Sequence, residues 1–492
     1  MTTYRNFIGG EWVESRGART VPNLNPADTT DVIGEVRLST REETRAAIEA
    51  ARSALPRWRA TPAPERARAI GRARAILESK KEEIARALTR EEGKILREAR
   101  GEVQKTLNVL EFYSGEGLRL AGETLPSELP NTLCYTIRQP IGVVGAITPW
   151  NFPICIPAWK IAPALVAGNT VVFKPATLTP ETATALVRAF EEAGLPPGVL
   201  NMVIGSGGEV GDEIVTNRTV RAVSFTGSNE VGTRLYAQAA GTLKKVQCEM
   251  GGKNPVVVLE DADLALAAEG TSQGAFGSTG QRCTATSRAI VMEEIADRFV
   301  ALLAEKAKKI VAGNGLDESV GMGPSVDENQ YRTVLKYIDI AKEEGARLVC
   351  GGEALRDGPL ARGFFVAPTI FDHVTAKMRL AREEVFGPVL AVIRVRSFEE
   401  ALEVANDVDY GLTSSIYTAD VSKWHRFAEA IETGIVHLNS PTMGGEPQLP
   451  FGGTKATGVG WREMGKAGIE FFTELKAVYA DFTGRKRESN IY

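Results

Sequence analysis

From Ile141 to Ser228 the chain alternates short β-branched runs with helical stretches. "IGVVGAI", "NTVVFKP", "VLNMVIG" and "AVSFTGS" are brief apolar runs, and segments such as "PETATALVRAFEEAG" carry helical periodicity between them. Strands that short and that apolar are buried on both faces, which happens when helices cover a sheet, so the alternation predicts parallel βαβ units. The pattern restarts at "NPVVVLEDADLALAAEGTSQGAF" and runs through "SRAIVM", "RFVALLAEKAKKIV" and "YRTVLKYIDIAKEEGARLVCGG" to "GIVHLNS". A second α/β domain is expected there. The length of 492 residues agrees, since single cores stop growing at ~250–300 residues.

Helices come first. "STREETRAAIEAARSALPRW" opens on a cap-like Thr40 with Glu43 placed to complete a capping box, and "PERARAIGRARAILESKKEEIARAL" and its continuation read as long amphipathic helices. The stretch from Ile141 to Phe173 has the length of a membrane span. Pro149, Pro153, Pro157 and Pro163 each remove a backbone donor, however, and Lys160 sits near its middle. A lone span in lipid could not satisfy that backbone, so a strand, a loop, a short helix and a second strand are expected instead. The tail "EFFTELKAVYADFTGR" reads as a strand without a local partner, to be added to another element or subunit.

Composition narrows the function classes. The chain is 43% hydrophobic and 24% charged with a formal net charge of −4, ordinary globular values without the basic field that nucleic acid or an anionic membrane requires. Its 5 cysteines are odd in number, widely spaced and free of C-x-x-C, which indicates neither a disulfide framework nor a zinc ribbon. "MTTYRNFIGGEWVES" lacks the apolar run of a signal peptide. A cytoplasmic setting is expected, with no nucleic-acid, membrane or metal partner.

In "FGSTGQRCTATSR", Cys283 is flanked by glycine, threonine and serine, and reads either as a small buried hydrophobe or as a nucleophile kept accessible. His373, His425 and His437 lie in apolar or charged contexts, so a Cys–His dyad is poorly supplied and any base for Cys283 is expected to be a carboxylate. Glu249 in "QCEMGGKNP" is the candidate, beside two glycines that would let it approach a substrate; the alternative is a helix-end or surface glutamate. Asn151 in "TPWNFP" follows a buried strand, where open α/β sheets place ligands, and its amide could donate to an oxyanion or merely bridge a turn. Lys174 in "VVFKPA" ends the next strand, and "FTGSNEVG" brings Gly227 and a helix start into a position that suits cofactor phosphates.

In chain order, "TPWNFP", "VVFKPA", "FTGSNEVG", "EMGGKNP", "GQRC", "EEVFGPV" and "PFGGTKATGVGWREMG" resemble the aldehyde dehydrogenase superfamily over nearly the whole chain. "EMGGKNPVVVLEDADL", "GQRCTATSR" and "FTELKAVY" are most similar to its α-ketoglutaric semialdehyde (2,5-dioxopentanoate) dehydrogenase branch. The resemblance implies an α/β fold with three parts: a Rossmann-like cofactor domain (1–121 and 142–250), an α/β catalytic domain (251–447) and a small β oligomerisation element (122–141 and 468–492) that makes a homodimer or homotetramer.

The same resemblance assigns roles. Cys283 attacks an aldehyde, the Asn151 amide and the Cys283 N–H hold the oxyanion, hydride passes to NADP or NAD, and Glu249 activates the water that hydrolyses the thioester. Lys160 and Glu463 match a proton path behind Glu249. Cofactor contacts fall on Ile147, Thr148, Pro149, Trp150, Lys174, Ala176, Thr177, Gly207, Phe225, Gly227, Ser228, Glu384 and Phe386. Thr177 stands where NAD-preferring relatives often carry a glutamate that repels a 2′-phosphate, so NADP is expected to be accepted. Trp461 is an extra residue in "GVGWREMG" that could shift Glu463 out of register. Arg282 faces either a substrate carboxylate or a structural salt bridge. An anionic semialdehyde is the expected substrate; the alternatives are a broad-range enzyme, a pyrroline-5-carboxylate (glutamate semialdehyde) dehydrogenase, and a CoA-acylating one.

Overall fold

The computed structural model describes residues 2–484; Met1 and residues 485–492, the end of the expected oligomerisation element, lie outside the described residues. Two large sheets carry the molecule. In the first, the strands run in the order Gly458–Val459, Lys245–Glu249, Val220–Thr226, Val143–Ile147, Thr170–Lys174, Leu200–Met202, Asn6–Ile8 and Glu11–Val13. The five from Lys245–Glu249 to Leu200–Met202 are parallel, and antiparallel strands close both edges. Val143–Ile147 and Thr170–Lys174 are buried at every position, as their continuous apolar character demands.

The segment with the length of a membrane span resolves as expected into the strand Val143–Ile147, a loop, the wholly buried helix Cys155–Val166 and the strand Thr170–Lys174. Among the described residues no helix is long and apolar enough to cross a membrane. The helix Arg41–Ala60 begins with the expected capping box, Thr40 accepting from the Glu43 N–H and the Glu43 carboxylate accepting from the Thr40 N–H.

The second sheet holds Asn254–Val258 and Thr286–Met292 at its centre, flanked by Val389–Val395 and Thr369–Asp372 on one side and by Thr413–Tyr417 and Ile435–Leu438 on the other. These strands are parallel; only Arg347–Cys350 at the edge is antiparallel. The tail strand Thr473–Asp481 finds its partner in the same chain, pairing antiparallel along the whole of Thr132–Pro140.

Two features escaped sequence reading. The N-terminal residues form five strands: Asn6–Ile8 and Glu11–Val13 extend the first sheet, while Thr2–Tyr4, Thr20–Asn25 and Asp28–Arg37 make a sheet of their own. After the second sheet is complete, the chain returns through Gly458–Val459 to the first sheet, directly opposite Cys248 and Glu249.

Candidate active site

Through the parallel strands of the first sheet the chain starts at Val143–Ile147, steps outward to Thr170–Lys174 and Leu200–Met202, then reverses to Val220–Thr226 and Lys245–Glu249. Where the order reverses, loops leave neighbouring strand ends in opposite directions and open a crevice. A cavity of about 500 Å³ lies there, and every residue expected to touch a cofactor lines it, from Ile147 to Phe386, together with Asn151 and Cys283. The helix Asn229–Ala240 points its N-terminus into this region, with Ser228 as its cap accepting from the Val231 N–H. Phe386 meets Trp150 edge-on at 5.5 Å.

The cavity's polar groups fit a nicotinamide dinucleotide. The buried Thr148 and Thr226 hydroxyls line it without a hydrogen-bond partner. Glu384 accepts from the Gly252 N–H at 2.9 Å, and burial pushes its pKa up to about 7. Its carboxylate lies so close to Gly251 that a side chain there would collide with it. Lys174, buried at the end of its strand, has its pKa lowered to about 8 by desolvation.

Sequence reading missed the helical side of the cavity. Gln330 donates to the carbonyls of Val385 (3.0 Å) and Phe386 (2.9 Å), fixing Phe386 at its left-handed φ of 56°. Asp212 and Arg234 form an ion pair at 3.3 Å on the lining. All three sit on helices, and which helix face meets a cavity is decided by packing across sheets, for which the sequence carries no local signal.

Cys283 lies between the two sheets. Asn254, at the start of a central strand of the second sheet, donates from its amide to the Cys283 carbonyl at 2.8 Å. Burial pushes the Cys283 thiol up to about 12, and the negative charges of Glu384, Glu249 and Glu463 add to the shift. Asn151 is 3% exposed. One of its amide N–H groups goes to the Gln281 carbonyl at 3.0 Å, just before the cysteine; the second is left for another acceptor.

Glu249 is the last residue of its strand, paired opposite Thr226 on one side and Gly458 on the other. Neither carboxylate oxygen has a well-formed hydrogen bond, and the Gly453 N–H lies near enough only to oppose the pKa rise weakly. Burial raises its pKa well above the usual range, with Glu463 adding to the rise while Arg462 and Lys160 oppose it. Gly452, at φ 146°, passes close to the carboxylate, where a side chain would be strained by that φ and would push the Glu249 carboxylate aside. Behind it Lys160 donates to Glu463 and, at 2.9 Å, to Ser224, which in turn donates to Gln247 at 2.9 Å. Gln247 holds the carbonyls of Trp461 and Arg462, both at 3.0 Å. The extra Trp461 therefore does not displace Glu463: its half-exposed ring turns outward under the Lys245 ammonium, 4.6 Å from the ring centre.

Arg282 makes a salt bridge, one of its two expected contacts. Its guanidinium is 3.0 Å from Glu98 and donates to the Ser278 hydroxyl at 2.9 Å. Ser278, Thr279 and Gly280 occupy the left-handed region in succession (φ 48°, 58° and 67°), and for the two non-glycine residues this costs about 1–3 kcal/mol each. The Glu98 carboxylate also accepts from the Ser278 N–H at 2.8 Å, so the pair clamps the strained turn that leads into Cys283.

Residues 12–478 match the model of the aldehyde dehydrogenase family. The chain is 48% identical over 477 residues to an alpha-ketoglutaric semialdehyde dehydrogenase of Bacillus subtilis, covering 97% of this chain and 98% of the relative. It is 44% identical over 482 residues to a 2,5-dioxopentanoate dehydrogenase of Saccharolobus solfataricus, covering 97% and 99%. A crystal structure of betaine aldehyde dehydrogenase from Staphylococcus aureus in complex with NAD+ superposes with a TM-score of 0.95 at 35% identity, covering 98% of this chain and 95% of the other.

Proposed function

The chain belongs to the aldehyde dehydrogenase family, and from that premise we propose that it oxidises an anionic semialdehyde, 2,5-dioxopentanoate first among them, with NADP or NAD as hydride acceptor. The relatives' named substrates support the aldehyde. One observation carries the mechanism: Cys283 and Asn151 share a cavity with the strand-end residues and Glu384, while Glu249 stands outside its lining with a free carboxylate.

The Cys283 sulfur bonds to the aldehyde carbon, and the carbonyl oxygen takes the free Asn151 N–H and the Cys283 backbone N–H. A donor of this kind contributes about 3–4 kcal/mol to the transition state. A nicotinamide held along the cavity by the strand-end residues, Lys174 and Glu384 would supply the hydride acceptor that converts the Cys283 adduct to a thioester. Glu249 removes a proton from water, the resulting hydroxide adds to the thioester, and the carbon–sulfur bond breaks to release the carboxylic acid and the thiolate. A thiol titrating near 12 is neutral at pH 7, so the first attack also needs a base, and Glu249 with its raised pKa is suited to both steps. Lys160 and Glu463 then carry the proton away. The unpartnered Glu463 Oε2 beside an unpartnered Glu249 supports that path.

Thr177 places no acid on the cavity lining beside Lys174, which supports acceptance of NADP as well as NAD. Arg282 acts here as a loop clamp. The proposed domains are 1–121 and 142–250 for the cofactor, 251–447 for catalysis, and 122–141 with 468–492 for assembly; the two large sheets support the first division, although Gly458–Val459 joins the first sheet from outside those limits. Leu133, Ile137, Leu475 and Tyr479 stand exposed on the small sheet, which supports its burial in a homodimer or homotetramer. A cytoplasmic setting goes with five free cysteines.

The test follows NADPH and NADH absorbance with 2,5-dioxopentanoate, succinic, glutamic and short aliphatic aldehydes, with Cys283→Ala as control. Dominance of one anionic semialdehyde in kcat/KM and an inert control are expected. Equal rates with neutral aldehydes would contradict the substrate assignment, and reduction without Cys283 would contradict the mechanism.

A further inference from the structure

Beneath the loop that carries Asn151 lies a buried ion pair outside the cavity lining. Lys94 and Glu102 have side chains only 1% and 0% exposed, 2.7 Å apart. Lys94 follows Gly93, whose φ of 98° ends the helix Lys81–Glu92, and Glu102 lies in the helix Leu96–Glu116. A fully buried pair is costly to desolvate and is a weak source of stability, so its other contacts decide what it does. Lys94 also donates to the Asn151 backbone carbonyl at 2.6 Å and lies 4.1 Å over the Phe152 ring. The second oxygen of Glu102 accepts from the Ile154 and Cys155 N–H groups, at 3.1 and 3.2 Å. Burial disfavours the Lys94 charge, yet Glu102 and Glu92 outweigh it and leave its pKa raised, so the ammonium stays charged.

The same turn touches the nucleophile loop. The chain at Gly323 and Pro324 packs against Gly93, and its carbonyls accept from Thr279 (3.0 Å) and Gln281 (3.3 Å). Asn151 therefore has its backbone tied to Lys94 and its side chain tied to Gln281, each anchored near one turn.

We propose that the Lys94–Glu102 pair is a positioning device that sets the Asn151 amide against the oxyanion; this rests on reading Asn151 as an oxyanion donor. Lys94 fixes the carbonyl of Asn151, and Glu102 fixes the two N–H groups where the next helix begins. Neither residue touches the reacting atoms.

The full-length enzyme with NADP is compared with Lys94→Met, Glu102→Gln, Asn151→Ala and the double variant Lys94→Met/Asn151→Ala. Aldehyde kcat, cofactor Kd and the rate of Cys283 alkylation by iodoacetamide, a displacement that builds no oxyanion, are measured on each. Lys94→Met is expected to lower kcat about 10- to 100-fold, as misplacement or loss of a preorganised donor does, while Kd and alkylation stay within about twofold. Glu102→Gln keeps an acceptor and the packing, so it shows a smaller loss and reports on the pair even if Lys94→Met fails to fold. The double variant is expected to be no slower than Asn151→Ala, since a positioning residue has nothing left to position.

Unchanged kcat in Lys94→Met or, where that variant does not fold, in Glu102→Gln, with Asn151→Ala inactive, overturns the positioning role alone. Losses that multiply in the double variant overturn it too, as does alkylation falling in step with kcat. Full activity in Asn151→Ala overturns the oxyanion reading and the proposal with it.

Discussion

In front of Cys283 the cavity is bounded by glycines, apolar rings and strand-end backbone, with the buried Lys174 and the half-buried Glu384 as charges on its wall. Behind Glu249 the composition inverts: Lys160, Glu463, Ser224 and Gln247 lie charge against dipole, each 2% exposed or less. Both regions grow from the same sheet, yet one leaves polar groups open along a slot and the other packs them against each other. A charge without an ion-pair partner suits a ligand that brings its own charges, whereas a buried charge with one suits a proton that must be held and passed on. Cys283 and Glu249 stand where the two meet.

The largest effect falls on that boundary. Cys283→Ala is expected to lose roughly 10⁴-fold or more in aldehyde oxidation, as removal of a nucleophile does, with cofactor affinity within about twofold by fluorescence titration. Lys160→Met attacks the rear region alone. It leaves Glu463 buried and uncompensated, a cost of about 3–5 kcal/mol in chemical denaturation. Lys160 also holds the Glu249 pKa down, so its loss raises that pKa further. Activity at neutral pH should then fall about tenfold and recover as pH rises, since one pKa unit is a factor of ten in the fraction of base.

Thr177→Glu attacks the cavity alone. Placing a carboxylate near the expected 2′-phosphate should raise KM for NADP about tenfold or more and leave KM for NAD within about twofold, because like charges brought together in recognition cost several kcal/mol. Lys174 adds a pH signature in the unaltered protein. Its pKa is lowered to about 8, so the ammonium is present below that pH and lost above it, and any preference for NADP should shrink as pH climbs through about 8. Arg282→Gln should give the smallest and least selective effect: a modest loss of stability, with kcat/KM for anionic and neutral aldehydes reduced by the same factor. Selective loss with the anionic aldehydes would return Arg282 to the substrate.

The difference between the regions also marks what sequence reading could reach. Strand ends such as Ile147–Asn151 and Lys174–Thr177 are legible because a buried parallel strand announces its own terminus, and ligands in open sheets gather at that end. Glu249 as a base was one of two open readings beside its glycines, and the family resemblance singled it out. Lys94 and Glu102 were not legible. They look like any Lys and Glu of a charged helical stretch, and only the approach of Asn151 from 57 positions along the chain makes them distinctive. The N-terminal strands were missed for a related reason: "NFIGGEWV" is too short to announce its two strands, which pair with each other and join the sheet edge where Met202 meets Phe7.

The most direct test of the account is a single turnover of Glu249→Gln with NADP and 2,5-dioxopentanoate, followed by absorbance and then by mass analysis of the peptide bearing Cys283. The account predicts about one equivalent of NADPH per site, however slowly formed, and then arrest, with Cys283 carrying the acyl group of the substrate as a thioester. Continued turnover at the parent rate, or NADPH formed without an adduct on Cys283, would contradict it.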